Sequence, residues 1–153
     1  MNHPNKAPFK GVLARIDEPS NKPPSGARGH KVLLTHAAAD KALPTLIGMG
    51  VNVSSEGQMH FASGKNGVIE RAEIIGKDLF VWGYLFKKDC AQVIRTIQAS
   101  AEEWGMSYEM HDAHVIDMRA EVYVIDHVTF TGAAVLLREK AAYLKTSFVL
   151  LGE

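Results

Sequence analysis

Val68-Ile69-Glu70-Arg71-Ala72-Glu73-Ile74-Ile75-Gly76-Lys77-Asp78-Leu79-Phe80-Val81-Trp82-Gly83-Tyr84-Leu85-Phe86 is the stretch that decides the fold class. Two runs rich in β-branched and aromatic residues flank Gly76-Lys77-Asp78, whose composition suits a tight turn. The pattern predicts two strands, over residues 68–75 and 79–86. The second run is apolar at nearly every position, so both of its faces are expected to be covered.

Working upstream, residues 9–16 read as a first strand, preceded by a polar segment over 1–8 that is expected to be disordered. Residues 17–29 hold Pro19, Pro23, Pro24, Gly26 and Gly29, which predicts a long mobile loop able to flank a substrate. A strand over 30–35 ends at His36. Residues 37–46 read as a short helix that Pro44 keeps from lengthening. Residues 54–67 are polar and glycine-rich and close on Asn66-Gly67, a hairpin-turn signal.

Working downstream, Asp89 is expected to cap a helix over 90–104, with Val93, Ile94, Ile97, Ala101 and Trp104 on one stripe and Gly105 as its stop. Strands follow over 115–118, 121–125 and 128–131. Gly132 then breaks the run, and 133–143 has helical composition. The whole is expected to be one domain, residues 1–153, of the α+β class: a β-rich barrel or sandwich, mostly antiparallel, with two or three external helices.

The bulk numbers narrow the function. In 153 residues, 46% are hydrophobic, and 17 Lys plus Arg balance 17 Asp plus Glu. No global charge bias or aromatic-interleaved basic stripe points to nucleic acid. The single cysteine, Cys90, excludes an internal disulfide and implies a reducing compartment. No apolar run approaches the roughly 20 residues that span a bilayer, and the polar N-terminus is no signal peptide. A soluble, intracellular protein is the expectation.

Ser107, in Gly105-Met106-Ser107-Tyr108-Glu109, is the candidate nucleophile. A serine at a strand start more often only bonds backbone. Two histidines at long range change its weight: His36, after Val32-Leu33-Leu34-Thr35, and His127, after Val122-Tyr123-Val124-Ile125-Asp126. A hydroxyl becomes nucleophilic when a base takes its proton and a third group orients that base. His36 is the candidate base and His127 its orienting partner. Amides near Gly132-Ala133-Ala134 are candidates for an oxyanion site, and Arg138 is a weaker one. Glu109 stands where G-x-S-x-G has its last glycine, so a nucleophile elbow is not indicated. His111, Asp112 and His114 with Glu109 and Asp117 carry metal-ligand chemistry, but in an extended segment the histidines point apart. Cys90 reads as a buried structural thiol, since adjacent Asp89 disfavours a reactive one.

Three blocks, Val32-Leu33-Leu34-Thr35-His36, Gly105-Met106-Ser107-Tyr108-Glu109 and His127-Val128-Thr129-Phe130-Thr131-Gly132-Ala133-Ala134, in that order resemble those of the tailed-phage prohead maturation proteases. These are similar in fold and chemistry to the herpesvirus maturation proteases. The resemblance spans roughly residues 9–143. It implies a serine endopeptidase cleaving capsid or scaffold precursors inside an assembling prohead in the host cytoplasm, with Ser107 as nucleophile and His36 as base. It also implies self-association and a reaction that requires no metal or organic cofactor. Two positions depart from the pattern. Glu109 stands where glycine is frequent, and His127 stands where many phage members carry an acid, which leaves Asp126, Asp117 or Glu121 as alternatives. The rival expectation is a capsid-assembly or scaffold module that keeps the fold without catalysis.

Overall fold

In the computed structural model, which describes residues 3–54 and 64–152, the opening stretch folds as expected. β4 (Gly67–Ile75) and β5 (Asp78–Phe86) pair antiparallel, with the turn at Gly76-Lys77 and a positive φ at Gly76. β1 (Lys6–Arg15) pairs antiparallel with the other edge of β5, and β8 (Ser147–Leu150) with β1.

The second half of the sheet is organised by β7 (Val122–Leu137), a strand of 16 residues. β2 (Lys31–Leu34) runs parallel to its start and β3 (Gly50–Val53) parallel to its end. β6 (Trp104–Val115) lies antiparallel along its length. β3 also pairs with β4, which joins the halves into one eight-stranded sheet. The result is an α+β, strand-rich half-barrel, curled and carrying two short helices. One buried cluster fills it, including Phe9, Leu13, Phe130 and Phe148 from the strands, Ala39 of α1 (His36–Ala42) and Ile97 of α2 (Ala91–Ala99). Among the described residues no helix is long and apolar enough to cross a membrane.

Several elements differ from the sequence reading. β5 alternates: Leu79, Val81 and Leu85 are buried, while Phe80, Trp82, Tyr84 and Phe86 are half-buried on the other face. Cations cover that face in place of a second layer, with Lys10 Nζ 4.9 Å from the Phe80 centroid and the Arg71 guanidinium 4.2 Å from that of Trp82. Their stems shield the rings while the charged ends stay wet.

The expected helix over 90–104 stops at Ala99, and Cys90 rather than Asp89 occupies the cap, with no side-chain cap bond. Gly105 lies inside β6. Glycine is required there because a Cβ would sit 3.1 Å from the Arg138 Cα and 2.5 Å from Thr146 Oγ1. Residues 116–121 form a bend and turn instead of a strand, with Asp117 Oδ1 accepting from the Arg119 amide at 2.9 Å. The strands expected at 121–125 and 128–131 are one strand, which runs through Gly132 and replaces the helix expected over 133–143. Only a 3-10 turn, Arg138–Lys140, follows it. Residues 132–136 are all buried, so the alternation that signals a strand is lost there.

At the N-terminus, Lys6 to Pro8 belong to β1, in register with Phe86 to Tyr84. Within segment 17–29, the Ser20 N–H donates to the Val32 carbonyl at 2.7 Å, and the Val32 N–H returns to Ser20 Oγ at 3.0 Å. The Tyr143 hydroxyl donates to the Glu18 carbonyl at 3.3 Å. Of the polar segment 54–67, residues 55–63 lie outside the described residues. Gly67 begins β4 rather than forming a turn.

Candidate functional site

Ser107 sits in β6 opposite Ala134 of β7, and Asn52 of β3 pairs with Ala134 from the other side. Paired residues point to the same side of a sheet and successive residues to opposite sides. Asn52, Ala134 and Ser107 therefore form one row on the face away from the core. Gly132 and Glu109, also paired, form the next row on that face. Met106, Tyr108, Val51 and Val53 point the other way and join the core. Tyr108 meets Phe130 edge-on, with ring centroids 5.4 Å apart, and burial pushes its phenol well above the usual range, so it stays neutral.

Lys65 crosses this face. A Cβ on Gly50 would lie 2.7 Å from its Cδ and 2.9 Å from its Cγ, so the glycine leaves the room that the stem occupies. The Lys65 Nζ donates to Asn52 Oδ1 at 2.8 Å and to Glu109 Oε1 at 3.4 Å. Next to it, the Asn66 N–H donates to the Val51 carbonyl at 2.7 Å, and Asn66 Oδ1 accepts from the Val53 N–H at 2.8 Å. The backbone bearing Lys65 is thereby held beside β3. A Cβ on Gly132 would collide with Glu109 Oε1 and come within 3.1 Å of the Gly50 carbonyl. The floor under this polar group is accordingly bare: Gly50, Gly132 and Ala134.

Asn52 is 1% exposed, and among the described residues its Nδ2 has no hydrogen-bond partner. A buried donor left unpaired costs about 1–3 kcal/mol, so its presence calls for a reason.

The expected triad is not brought together. His127 pairs with His114 on β6, seven residues along β7 from the partner of Ser107, a strand path of about 23 Å. His36 does not end a strand; it is the exposed first residue of α1, behind the Thr35 cap, and its backbone N–H donates to Asp17 Oδ1 at 2.8 Å. The strand before it reaches β7 only at Ile125. Among the described residues no hydrogen bond joins Ser107 to either histidine. The physical reason is the continuity of β7, which keeps the two ends apart where a turn would have folded them together.

The alternatives for a third member lie at that same distant end. Asp126 Oδ1 contacts His114 Nδ1 at 2.5 Å, Asp117 caps its own turn, and Glu121 is exposed. His127 lines a shallow groove of about 210 Å³ between α1 and β7 with Ala38, Lys41 and Thr45. Gly132 to Ala134, expected as an oxyanion turn, are mid-strand with neighbours on both edges. Their amides face ladder partners instead of an open turn. Arg138 lies in the 3-10 turn, its Cα backing on Gly105.

His111 and Asp112 are exposed and meet each other at 3.2 Å. Among the described residues no group of three or more His, Cys, Asp or Glu is placed to hold a metal. Cys90 is buried, and its Sγ accepts from Asn66 Nδ2 at 3.3 Å.

Asn52 and Lys65 were not singled out by the sequence, and Glu109 entered it only as a departure from a motif and a weak metal ligand. A signal existed for Asn52 alone: one amide inside the apolar run Val51-Asn52-Val53. Neither a protein-family model nor a curated protein matches this chain.

Proposed function

We propose that the chain is a serine endopeptidase of the prohead-maturation type, with Ser107 as nucleophile. One observation carries this reading: Ser107 shares a single sheet face with a carboxylate, an ammonium and a buried carboxamide, over a floor free of bulky side chains. Two of the three resembling blocks also meet there, since Ser107 pairs with Ala134 and Glu109 with Gly132. The curled, strand-rich half-barrel accords with a herpesvirus-protease-like fold.

In this reading the Ser107 Oγ bonds to the carbonyl carbon of a capsid or scaffold precursor, and the carbonyl π pair moves onto its oxygen. Glu109, two residues along the same face, accepts the hydroxyl proton and delivers it to the amine as the C–N bond breaks. Water then releases the acyl group by the same route. The reaction belongs inside the assembling prohead in the host cytoplasm, without metal or organic cofactor, and self-association is compatible with it.

The test is treatment with a fluorophosphonate probe followed by mass spectrometry of the adduct. Modification confined to Ser107, abolished in Ser107→Ala, is expected. Dependence of the labelling rate on pH assigns the proton acceptor: a midpoint near the free-imidazole value of about 6.5 would transfer that role from Glu109 to a histidine. The second reading, a capsid-assembly module without catalysis, is favoured by one observation. Neither His36 nor His127 reaches Ser107. Absence of any adduct on Ser107, in monomer and oligomer alike, would establish it.

A further inference from the structure

We infer that Lys65 supplies the positive charge that holds the tetrahedral oxyanion, and that Asn52 is the positioning residue that aims it. This rests on the endopeptidase reading above and names a group that neither the motifs nor the expected turn at Gly132 supplied.

A lysine ammonium has three N–H groups in a tetrahedral arrangement. Asn52 Oδ1 takes one at 2.8 Å and Glu109 Oε1 another at 3.4 Å. The third has no partner among the described residues. The two anchors stand on β3 and β6, the strands either side of β7. The ammonium is therefore held on the face of β3, β7 and β6 that also carries Ser107, and the β7 residues of that face, Gly132 and Ala134, bear no side chain larger than a methyl group. A carbonyl oxygen becoming an alkoxide as the Ser107 Oγ bonds to its carbon would meet a preplaced charge there, and such preplaced donors favour the transition state over the ground state.

Asn52 supports this independently. It is 1% exposed, and its Nδ2 is unpaired among the described residues. As a packing residue it is poorly suited, because a leucine of similar size would leave no buried donor unsatisfied. What leucine would lack is the oxygen that holds Lys65. The carboxamide is thus explained by its acceptor rather than by the fold.

The experiment uses the full chain and a fluorophosphonate–biotin probe. In labelling, the Ser107 Oγ–P bond forms as Glu109 takes the hydroxyl proton, the P–F bond breaks and fluoride leaves, and the phosphoryl oxygen occupies the oxyanion position. Lys65→Met is expected to slow Ser107 labelling by about 10²–10³-fold. Asn52→Leu is expected to slow it at least tenfold while its thermal midpoint equals or exceeds that of the parent. Asn52→Asp, which keeps an oxygen for Lys65, is expected to label within about threefold of the parent.

A Lys65→Met variant that labels Ser107 at the parental rate overturns the inference and leaves the endopeptidase reading intact. So does an Asn52→Leu variant whose labelling falls only in proportion to lost thermal stability, with Asn52→Asp no better. A parent protein that is never labelled on Ser107 overturns both.

Discussion

The two halves of β7 are made from one continuous strand and behave as different environments. From Gly132 to Leu136 every residue is buried, with β3 on one edge and β6 on the other. From Val122 to Phe130 only alternate core-facing positions are buried, and Asp126 and His127 stand exposed beside the equally exposed end of β6, residues 110–114. Most of the histidines and acids that look reactive in the sequence belong to the exposed half. The polar group that shares a sheet face with Ser107 belongs to the buried one. Ionisable residues crowd where water is plentiful and where they cost the fold little. Density of His and Asp along a chain is therefore a poor locator of a site, whereas a few polar groups held over bare backbone in a close-packed sheet demand a reason.

The largest effect that would break this contrast is at Glu109. Glu109→Gln is expected to slow fluorophosphonate labelling of Ser107 by about 10²–10⁴-fold. A variant labelling at the parental rate would remove the carboxylate from the site.

Next comes the floor. Gly132→Ala places a methyl group against Glu109 Oε1 and 3.1 Å from the Gly50 carbonyl. It is expected to cost about 1–3 kcal/mol in urea unfolding and to slow labelling as the carboxylate is pushed aside. Unchanged stability would mean that the strands are less closely packed than described.

In the exposed half, His36→Ala and His127→Ala are each expected to label within about twofold of the parent, with stability changed by no more than about 0.5 kcal/mol. A large loss in either would join the halves functionally and restore an imidazole to the mechanism.

The smallest effect concerns the segment that leads into α1. Arg15 Nη2 lies 3.2 Å from Glu18 Oε1, and Nη1 lies 2.8 Å from Asp78 Oδ1. The hydrogen bond from Arg15 holds the Glu18 carboxyl below its usual range. A depressed carboxyl contributes stability above its unfolded value of about 4.3, and that contribution is lost as pH falls through the lower folded value. Arg15→Met is expected to flatten this acid limb slightly in pH-dependent thermal melts. An unaltered limb would show that solvent screens the pair fully, as it does many surface pairs.

Much of the fold was legible because the relevant signals are local. Gly76-Lys77 forms its turn, and the runs beside it pair as strands, since β-branched side chains and a glycine with positive φ act through near neighbours. The failures came where a residue served a distant contact. Gly105 resembles a helix stop but makes room for Arg138 and Thr146, and Gly132 resembles a strand break but makes room for Glu109. Ala133 and Ala134 have helical composition yet lie mid-strand between β3 and β6, and because both are fully buried no exposed position alternates with them. Ser107 was proposed from its motif, while Lys65, 44 residues from Glu109 in sequence, carries no local mark at all.

By itself, then, the amino-acid sequence determined an α+β, strand-rich chain, the turn at Gly76-Lys77, the buried thiol of Cys90 and the serine worth following. Tertiary structure alone decided which groups accompany that serine. Periodicity and turn chemistry specify conformation one segment at a time. Strand pairing depends on how the whole chain buries its apolar surface, and that pairing set Asn52 and Glu109 on one sheet face with Ser107 and left His36 and His127 toward the far end of β7.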